Sequence, residues 1–169
     1  MEEIIFGFST PKCQNPISWA IRKLEGTEYS HVYMRTYSHS LDRWLVYHAS
    51  HSSVHFSSWI EIQKENKIIR EYKILVTDEQ KRQILTSCID MLDIHYGRLQ
   101  LVGMMLSRLA KIWFNLNIKN PFADGSKTEV CSELQFQVLE ILGLIFPSWK
   151  MESLGPRYFE KCISVISIP

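Results

Sequence analysis

The sequence contains no closely spaced pair of cysteines. Its four cysteines are Cys13, Cys88, Cys131 and Cys162, and no two of them form a C-x-x-C arrangement in the 169 residues. Disulfide frameworks and zinc ribbons both depend on cysteines at short, regular spacing. We therefore expect neither, no bound metal and no other cofactor, and we expect reduced thiols in a cytosol-like compartment.

The chain also lacks an excess of charge, and its sequence predicts no leader. It has 19 Lys and Arg against 18 Asp and Glu, a net charge of +1. That balance provides no basic surface for a phosphate backbone, so we expect no nucleic acid partner. The N-terminus, MEEIIFGF, has no basic region followed by a long apolar stretch. No signal peptide is predicted, and we expect a cytoplasmic protein.

No apolar stretch is both long enough and free enough of charged residues to predict a membrane span. The best candidate, residues 99–116, is interrupted by Arg108 and Lys111. Each of these would cost a few kcal/mol at the centre of a bilayer. We expect a helix over 99–114 that packs in the core, or a helix that contacts a membrane surface.

What the chain does contain is typical of one globular domain covering residues 1–169. Hydrophobic residues make up 46% of it, and no repeat or linker interrupts it. Patterning predicts strands over 3–8, 30–36, 44–48, 54–62, 67–76 and 162–168. Helices are predicted over 17–24, 77–93, 99–114 and 129–142, with a loop over 115–127. Strands that precede most helices favour an α+β fold, an antiparallel sheet packed against helices.

Local signals at the helix ends support three of these helices. Asn15 and Pro16 suit an N-cap and a first helical position, and Gly26 suits the end of the same helix. Residues 77–80 read Thr-Asp-Glu-Gln, the pattern of a capping box. Gly143 is placed to end the helix over 129–142.

Cys131 is the cysteine best placed for chemistry. It lies in the first turn of a predicted helix and shares that helix's apolar face with Leu134, Val138 and Leu142. The positive end of a helix dipole and its unpaired N–H groups stabilise a thiolate and can hold an oxyanion. The alternative is a small buried core residue, which is the commoner use of such a cysteine.

Two histidines lie on neighbouring predicted strands. If these strands form a hairpin with Tyr33 opposite Val46, then His31 falls directly opposite His48 on one face, with Cβ atoms about 5 Å apart. One imidazole could then orient the other, as nucleophilic catalysis requires. A slip of one residue would separate them onto opposite faces, and the two would then be polar strand ends.

The remaining histidines and cysteines have simpler interpretations. His48, His51 and His55 form an H-x2-H-x3-H pattern, but strand and turn residues between them argue against zinc. His39 and His95 are expected in solvent. Cys13 is a rival nucleophile just ahead of the first helix, whereas Cys88 and Cys162 are expected to be structural.

Taken in order, these residues resemble the circularly permuted papain-like cysteine hydrolases. These include the YiiX-type permuted amidases and the lecithin–retinol acyltransferase-like proteins, relatives of the NlpC-type cell-wall peptidases. The resemblance runs from about residue 4 to residue 162. The matching segments are Ile17-Ser18-Trp19-Ala20-Ile21-Arg22, Tyr29-Ser30-His31-Val32, Val46-Tyr47-His48-Ala49, Tyr96-Gly97 and Val130-Cys131-Ser132-Glu133-Leu134.

The resemblance implies a permuted papain-like (NlpC-type) fold with a Cys-His-His site. Cys131 matches the nucleophile, His31 the general base and acid, and His48 the residue that orients His31. The oxyanion would be held by the Cys131 amide, with Tyr29 as a further candidate. The sequence shows neither the secretion signal nor the wall-binding module of the peptidase members, so a mature cell wall is not the expected target.

Three hypotheses remain open from the sequence. The first is a cysteine hydrolase acting on an amide or ester of a small molecule or peptide. The second is a lipid acyltransferase or thioesterase of the same fold, in which the helix over 99–114 shapes an acyl pocket or contacts a membrane surface through 99–116. The third is a binding module that kept the fold without the activity. The oligomeric state is not predicted.

Overall fold

The computed structural model describes residues 1–50, 53–96, 98–118, 128–129, 131–144 and 155–166. The strands in this part of the chain are β1 (Glu2–Pro11), β2 (His31–Ser38), β3 (Arg43–Ser50), β4 (Ser53–Ser58), β5 (Asn66–Val76), β6 (His95–Tyr96) and β7 (Thr128–Glu129). The helices are α1 (Pro16–Glu25), α2 (Trp59–Glu65), α3 (Asp78–Asp90), α4 (Arg98–Phe114), α5 (Cys131–Ile141) and α6 (Pro156–Ile166).

The strands form one sheet in the order β5-β1-β2-β3-β4-β6-β7. The first five are antiparallel neighbours, while β6 and β7 are two-residue strands that pair in parallel with each other at the far edge. The α+β class and the antiparallel sheet expected from the sequence are confirmed.

The main core lies between one face of the sheet and helices α3, α5 and α6. Alternate residues of the central strands point into it, because successive side chains of a strand face opposite sides. Its largest fully buried members are Ile4, Phe6, Phe8, Met34, Tyr47, Ile84, Leu134, Phe136, Leu139 and Phe159. The opposite face carries a smaller cluster of Tyr33, Val46 and Ile62, the last of these from α2. Helix α5 contacts β2 and β3, the strands that carry the candidate histidines.

The predicted caps of two helices are confirmed. The Asn15 side chain accepts the backbone N–H of Ser18 at 3.0 Å, Pro16 opens α1, and Gly26 ends it in the left-handed conformation with φ of 64°. The Thr77 and Gln80 side chains accept each other's backbone N–H groups at the start of α3. Local side-chain chemistry therefore fixes where both helices begin.

The strand predicted over 54–62 is wrong in its second half. The strand ends at Ser58, whose hydroxyl accepts the backbone N–H of Glu61 and begins α2. Ser58 and Glu61 stand in the S-x-x-E pattern of a helix start. The apolar residues Trp59 and Ile62 that suggested a strand are three positions apart and lie on one face of a short helix.

The strand predicted over 162–168 is also wrong as far as residue 166, since residues 156–166 form helix α6, and residues 167 and 168 lie outside the described part of the chain. Phe159, Cys162 and Ile163 are buried, and Ile166 packs against the same core. Spacings of three and four residues place these side chains on one helical face. The β-branched residues near the end of the chain suggested a strand. The spacing of the buried residues over the whole segment is instead that of a helix.

The helices around the candidate cysteine are close to those predicted. Helix α4 begins one residue earlier than expected, at Arg98. Helix α5 begins at Cys131 rather than 129, because Thr128 and Glu129 pair with β6 as β7. Gly143 follows α5 with φ of 67°, as its predicted role requires. Of the loop predicted over 115–127, residues 119–127 lie outside the described part of the chain.

Candidate active site

The predicted register of the histidine hairpin is wrong by two residues. Met34 lies opposite Tyr47 and Arg35 opposite Val46, because residues 39–42 form the turn and Asp42 takes a positive φ of 50° there. The turn centre is thus one residue later than assumed. A shift by two preserves the face on which every side chain lies. His31 and His48 are therefore diagonal neighbours on one face rather than directly opposed.

Strands β2 and β3 lose their pairing at the end that carries the two histidines. Their register ends at Met34 and Tyr47, while β2 stays paired with β1 as far as His31. The two histidine side chains bridge this end of the hairpin. Nε2 of His31 lies 3.1 Å from Nδ1 of His48, with the rings nearly perpendicular at 72°. The sequence-predicted pair is therefore brought into hydrogen-bond contact.

His48 is held from its other side as well. Its Nε2 lies 3.1 Å from the hydroxyl of Ser57 on β4. His55 lies directly opposite His48 in the β3–β4 pair, with ring centroids 4.5 Å apart. The His48 side chain is buried. Its ring is held by hydrogen bonds at both nitrogens and by a tilted contact with the His55 ring on one side.

Helix α5 brings Cys131 to the same strands. Cys131 is the first residue of the helix and is only 4% exposed. One turn further on, Gln135 donates its side-chain N–H to the carbonyl of Tyr47, the residue before His48, at 3.3 Å. Residues four apart on a helix lie on one face with Cβ atoms about 5–6 Å apart. The start of α5 therefore lies beside the histidine strands.

Two buried side-chain oxygens near these residues make no hydrogen bond within the described part of the chain. They are Oγ of Ser9, which lies opposite His31 in the β1–β2 pair, and Oε1 of Gln135. Buried polar atoms without a partner are rare and are typical of sites that bind water or a ligand group.

Tyr29, the further oxyanion candidate, belongs to a different cluster. Its hydroxyl donates to Glu160 of α6, and its ring packs on Phe8 with centroids 4.8 Å apart. Burial, together with the hydrogen bond to the Glu160 carboxylate, raises the pKa of Tyr29 above its ordinary value. Glu160 is also bound by Arg70 and Tyr72. The arrangement supports a role for Tyr29 in fastening α6.

The other cysteines differ sharply from one another. Cys13 is exposed ahead of α1, as predicted. Cys88 is buried in α3, and burial raises the pKa of its thiol to about 12. Cys162 is buried in α6 rather than at a strand edge, and burial raises its pKa to about 11. The two buried thiols are therefore protonated near neutral pH.

Within the described part of the chain, the remaining histidines belong to no group of three metal-binding side chains. His39 is exposed and lies 3.1 Å from a carboxylate oxygen of Glu2, and His95 is exposed in β6. Of the H-x2-H-x3-H pattern, His48 and His55 are neighbours, whereas His51 lies outside the described residues. Within the ranges that the structure describes, no three metal-binding side chains come together.

Sequence reasoning missed two residues of this site, Ser57 and Gln135. Ser57 lies two positions after His55 and thus on the same face of β4, a signal visible only once the strand is placed. Gln135 lies four positions after Cys131, so helical spacing alone could have found it.

Comparison with known proteins adds no assignment. No protein-family model matches this chain, and no curated protein matches it either.

Proposed function

We propose that this protein is a cysteine hydrolase that cleaves an amide or ester bond through a thioester acyl-enzyme. Cys131 is the nucleophile, His31 the general base and acid, and His48 orients His31. What supports the proposal is the His31–His48 hydrogen bond, made between strands that helix α5, which begins at Cys131, contacts. In this proposal the fold is a permuted papain-like one.

The location of Cys131 favours the thiolate form. The first turn of an α-helix carries the positive end of the dipole and N–H groups without helical partners. Both stabilise a negative charge on sulfur, and a neighbouring imidazolium adds to that effect. The same N–H groups suit the oxyanion that forms when the thiolate attacks a carbonyl.

The reaction follows from these assignments. Sγ of Cys131 bonds to the carbonyl carbon, and His31, which has taken the thiol proton, gives it to the leaving amine or alkoxide. Water then attacks the thioester while His31 removes its proton. The carbon–sulfur bond breaks, and the proton returns to the sulfur. The carboxylic acid leaves, and the reaction requires no oxidant and no cofactor.

His48 and Ser57 set the protonation pattern that this cycle needs. A neutral imidazole carries one N–H and one lone pair. When Ser57 accepts the N–H at Nε2 of His48, Nδ1 of His48 becomes the acceptor for an N–H at Nε2 of His31. Nδ1 of His31 then bears the lone pair that can take the thiol proton. Ser57 is thus a positioning residue that acts through His48.

The first test is the alkylation rate of each cysteine against pH, measured by mass spectrometry on the intact fold. We expect Cys131 to react fast well below the ordinary thiol pKa of about 8.5, and His31→Ala to abolish that advantage. Cys88 and Cys162 should react slowly throughout, since their thiol pKa values are raised. His39→Ala is the matched control, because His39 lies in a turn and pairs with Glu2. A Cys131 rate that rises only near pH 8.5 would overturn the proposal.

A second test addresses turnover directly. A panel of activated esters and anilides should leave an acyl adduct on Cys131, detected as a mass increase. Cys131→Ala should lose the adduct and at least about a thousandfold in rate, the scale on which nucleophile removal acts. If adducts form only on exposed Cys13, the assignment of the nucleophile is wrong.

A second function shares the same thioester chemistry. It differs from the first in its lipid acyl substrate and, for an acyltransferase, in the acceptor that attacks the thioester. In a lipid acyltransferase a hydroxyl or amine of a second substrate, rather than water, attacks the thioester; a lipid thioesterase would use water. The observation that favours a lipid substrate is the set of large apolar residues exposed on α4, among them Leu106 and Trp113. Adding an amine or alcohol acceptor to the assay separates transfer from hydrolysis. If no acyl donor yields an adduct, the binding-module hypothesis remains.

A further inference from the structure

Helix α4 presents apolar side chains to solvent on the face where a surface helix ordinarily carries polar ones. Val102, Leu106 and Trp113 are 42%, 49% and 70% exposed, at spacings of four and seven residues. These spacings place them on one face of the helix. On the other side, Gly103 is buried, and the half-buried Ser107 hydroxyl bonds back to the Gly103 carbonyl at 2.9 Å. The apolar face of this helix therefore points away from the protein.

The exposed apolar surface continues beyond the helix. Phe114, Leu116 and Ile118 are all more than half exposed. Helix α4 contacts α1, which itself exposes Ile17 and Trp19. An exposed apolar patch of this kind marks a contact with a partner or a membrane. We call the set of Val102, Leu106, Trp113, Phe114, Leu116 and Ile118 the α4 surface.

The charge of this segment favours an anionic lipid surface over another apolar partner. Between Arg98 and Ile118 the sequence has three basic residues, Arg98, Arg108 and Lys111, and no Asp or Glu. Helices with Lys and Arg on their polar face and Trp, Phe or Leu on their apolar face are typical of a membrane interface. Among the described helices, none is long and apolar enough to cross a bilayer. The segment is thus suited to lying on a membrane.

We propose that the α4 surface docks this protein on an anionic bilayer. Helix α4 lies parallel to the membrane plane, and its exposed apolar side chains enter the boundary between headgroups and acyl chains. The basic residues that the sequence places in this segment attract phosphatidylserine-like headgroups. The docking uses no residue of the candidate active site, so it stands whether or not Cys131 is a nucleophile.

The test is co-sedimentation of the full chain with vesicles of phosphatidylcholine, with and without phosphatidylserine. We expect binding to the phosphatidylserine vesicles and at least roughly tenfold weaker binding without the anionic lipid or at high salt. The double substitution of Leu106→Gln and Trp113→Gln should abolish sedimentation. Both side chains are exposed, so the fold should persist, which far-UV circular dichroism checks.

The matched control is the double substitution of Ile60→Gln and Val165→Gln. These residues are 78% and 77% exposed on α2 and α6, outside the α4 surface. The control should bind vesicles as the unmodified chain does. Equal loss in both double variants, or no binding at any lipid composition, overturns the proposal. It is also overturned if light scattering shows a dimer that only the α4 variant dissociates, because a second copy then covers the surface.

Discussion

At the scale of single residues, the candidate site depends on how one buried ring is held. His48 contacts His31 through Nδ1 and Ser57 through Nε2, both at 3.1 Å. The proton of His48 therefore decides which nitrogen of His31 bears a lone pair. Under the proposed mechanism, Ser57 takes no part in the chemical steps. Through His48 it determines which nitrogen of His31 can accept a proton.

We predict that Ser57→Ala will weaken the proposed pairing of Cys131 with His31. Without the hydroxyl acceptor, His48 is no longer fixed in the tautomer that carries its proton on Nε2. We expect the alkylation profile of Cys131 to shift toward the ordinary thiol pKa, and turnover to fall by about tenfold, the scale of one lost neutral hydrogen bond. The ¹⁵N shifts of His48 in histidine-labelled protein report the tautomer directly.

Ser57→Thr is the matched variant, because it retains the hydroxyl and should keep both readouts. A Ser57→Ala profile identical to that of the unmodified chain would remove Ser57 from the mechanism. The hydrolase proposal itself would survive that result if His31→Ala still altered the profile.

Single residues were predictable from sequence only where a local signal marks them. Cys131 stood out because it opens a helix, and both histidines because they end apolar strands. Ser57 had no such signal, since a serine in a strand becomes informative only when its cross-strand neighbours are known. Tyr29 was a further oxyanion candidate under the resemblance, and its hydroxyl instead meets Glu160 on α6.

At the scale of elements, α6 is attached by a buried carboxylate from α1. Glu25 is 6% exposed, and its side chain accepts the backbone N–H of Arg157 at 2.8 Å, in the first turn of α6. The Arg157 guanidinium in turn donates to the Glu25 carbonyl at 2.8 Å. A Cβ at Gly155 would lie 1.6 Å from the carboxylate, so this approach requires glycine. The Glu25 carboxylate therefore caps the start of α6 and at the same time holds α6 against α1.

We predict that Glu25→Gln will lower the free energy of unfolding by about 1–3 kcal/mol. The amide keeps the shape but loses the charge that favours a helix N-terminus, and it brings N–H donors toward backbone donors. Urea denaturation followed by circular dichroism measures the change. Glu28→Gln is the control, because Glu28 is exposed three residues away and should change stability little. Equal stability of both variants would show that the cap is not important.

Elements with their own end signals were predicted best. Helices α1 and α3 carry caps in the sequence, and both begin where those caps indicate. Helix α2 also begins at a helix-start signal, formed by Ser58 and Glu61. The apolar residues that follow Ser58 favoured a longer strand instead. For α6, β-branched residues favoured a strand locally, and only packing of Phe159 and Ile163 against the core shows the helical period.

At the scale of the whole molecule, several buried groups favour their protonated form in the folded state. Burial, followed by the Glu71 carboxylate, raises the pKa of Tyr33 well above its usual range. The pKa of Tyr29 is raised by burial and Glu160, and burial raises the thiol pKa values of Cys88 and Cys162. In the unfolded chain these groups return to ordinary values, about 10 for tyrosine and about 8.5 for cysteine.

We therefore predict that the protein loses stability as pH rises above about 9. Above the ordinary pKa of each group the unfolded chain releases protons that the folded chain keeps, so the free energy of unfolding falls with increasing pH. Each group contributes a slope of up to about 1.4 kcal/mol per pH unit between its unfolded and folded pKa values. Urea denaturation at a series of pH values from neutral to alkaline measures that slope.

Tyr33→Phe should make this loss shallower above about pH 10, since it removes one of the groups. Tyr158→Phe is the matched control, because Tyr158 is only half-buried and packs against Phe136. A constant free energy of unfolding across the alkaline range would contradict the prediction.

The overall class of the fold was predictable, whereas its exact pairing was not. Strands preceding most helices gave the α+β class and the antiparallel hairpin of β2 and β3. The two-residue error in that hairpin came from the turn, where Asp42 takes a conformation that few residues adopt. Pairing of β5 with β1 joins distant segments, and no local pattern in the sequence specifies it.

The hydrogen bond from Gln135 to Tyr47 joins residues 88 positions apart in the chain. The ribosome therefore delivers the histidine hairpin long before the helix that begins at Cys131. Helix α5 then adds to strands that have already had time to pair with one another. Under the proposed mechanism, a nascent chain that has not yet reached Cys131 holds the paired imidazoles without their nucleophile, so the order of synthesis delays assembly of the site until α5 is added.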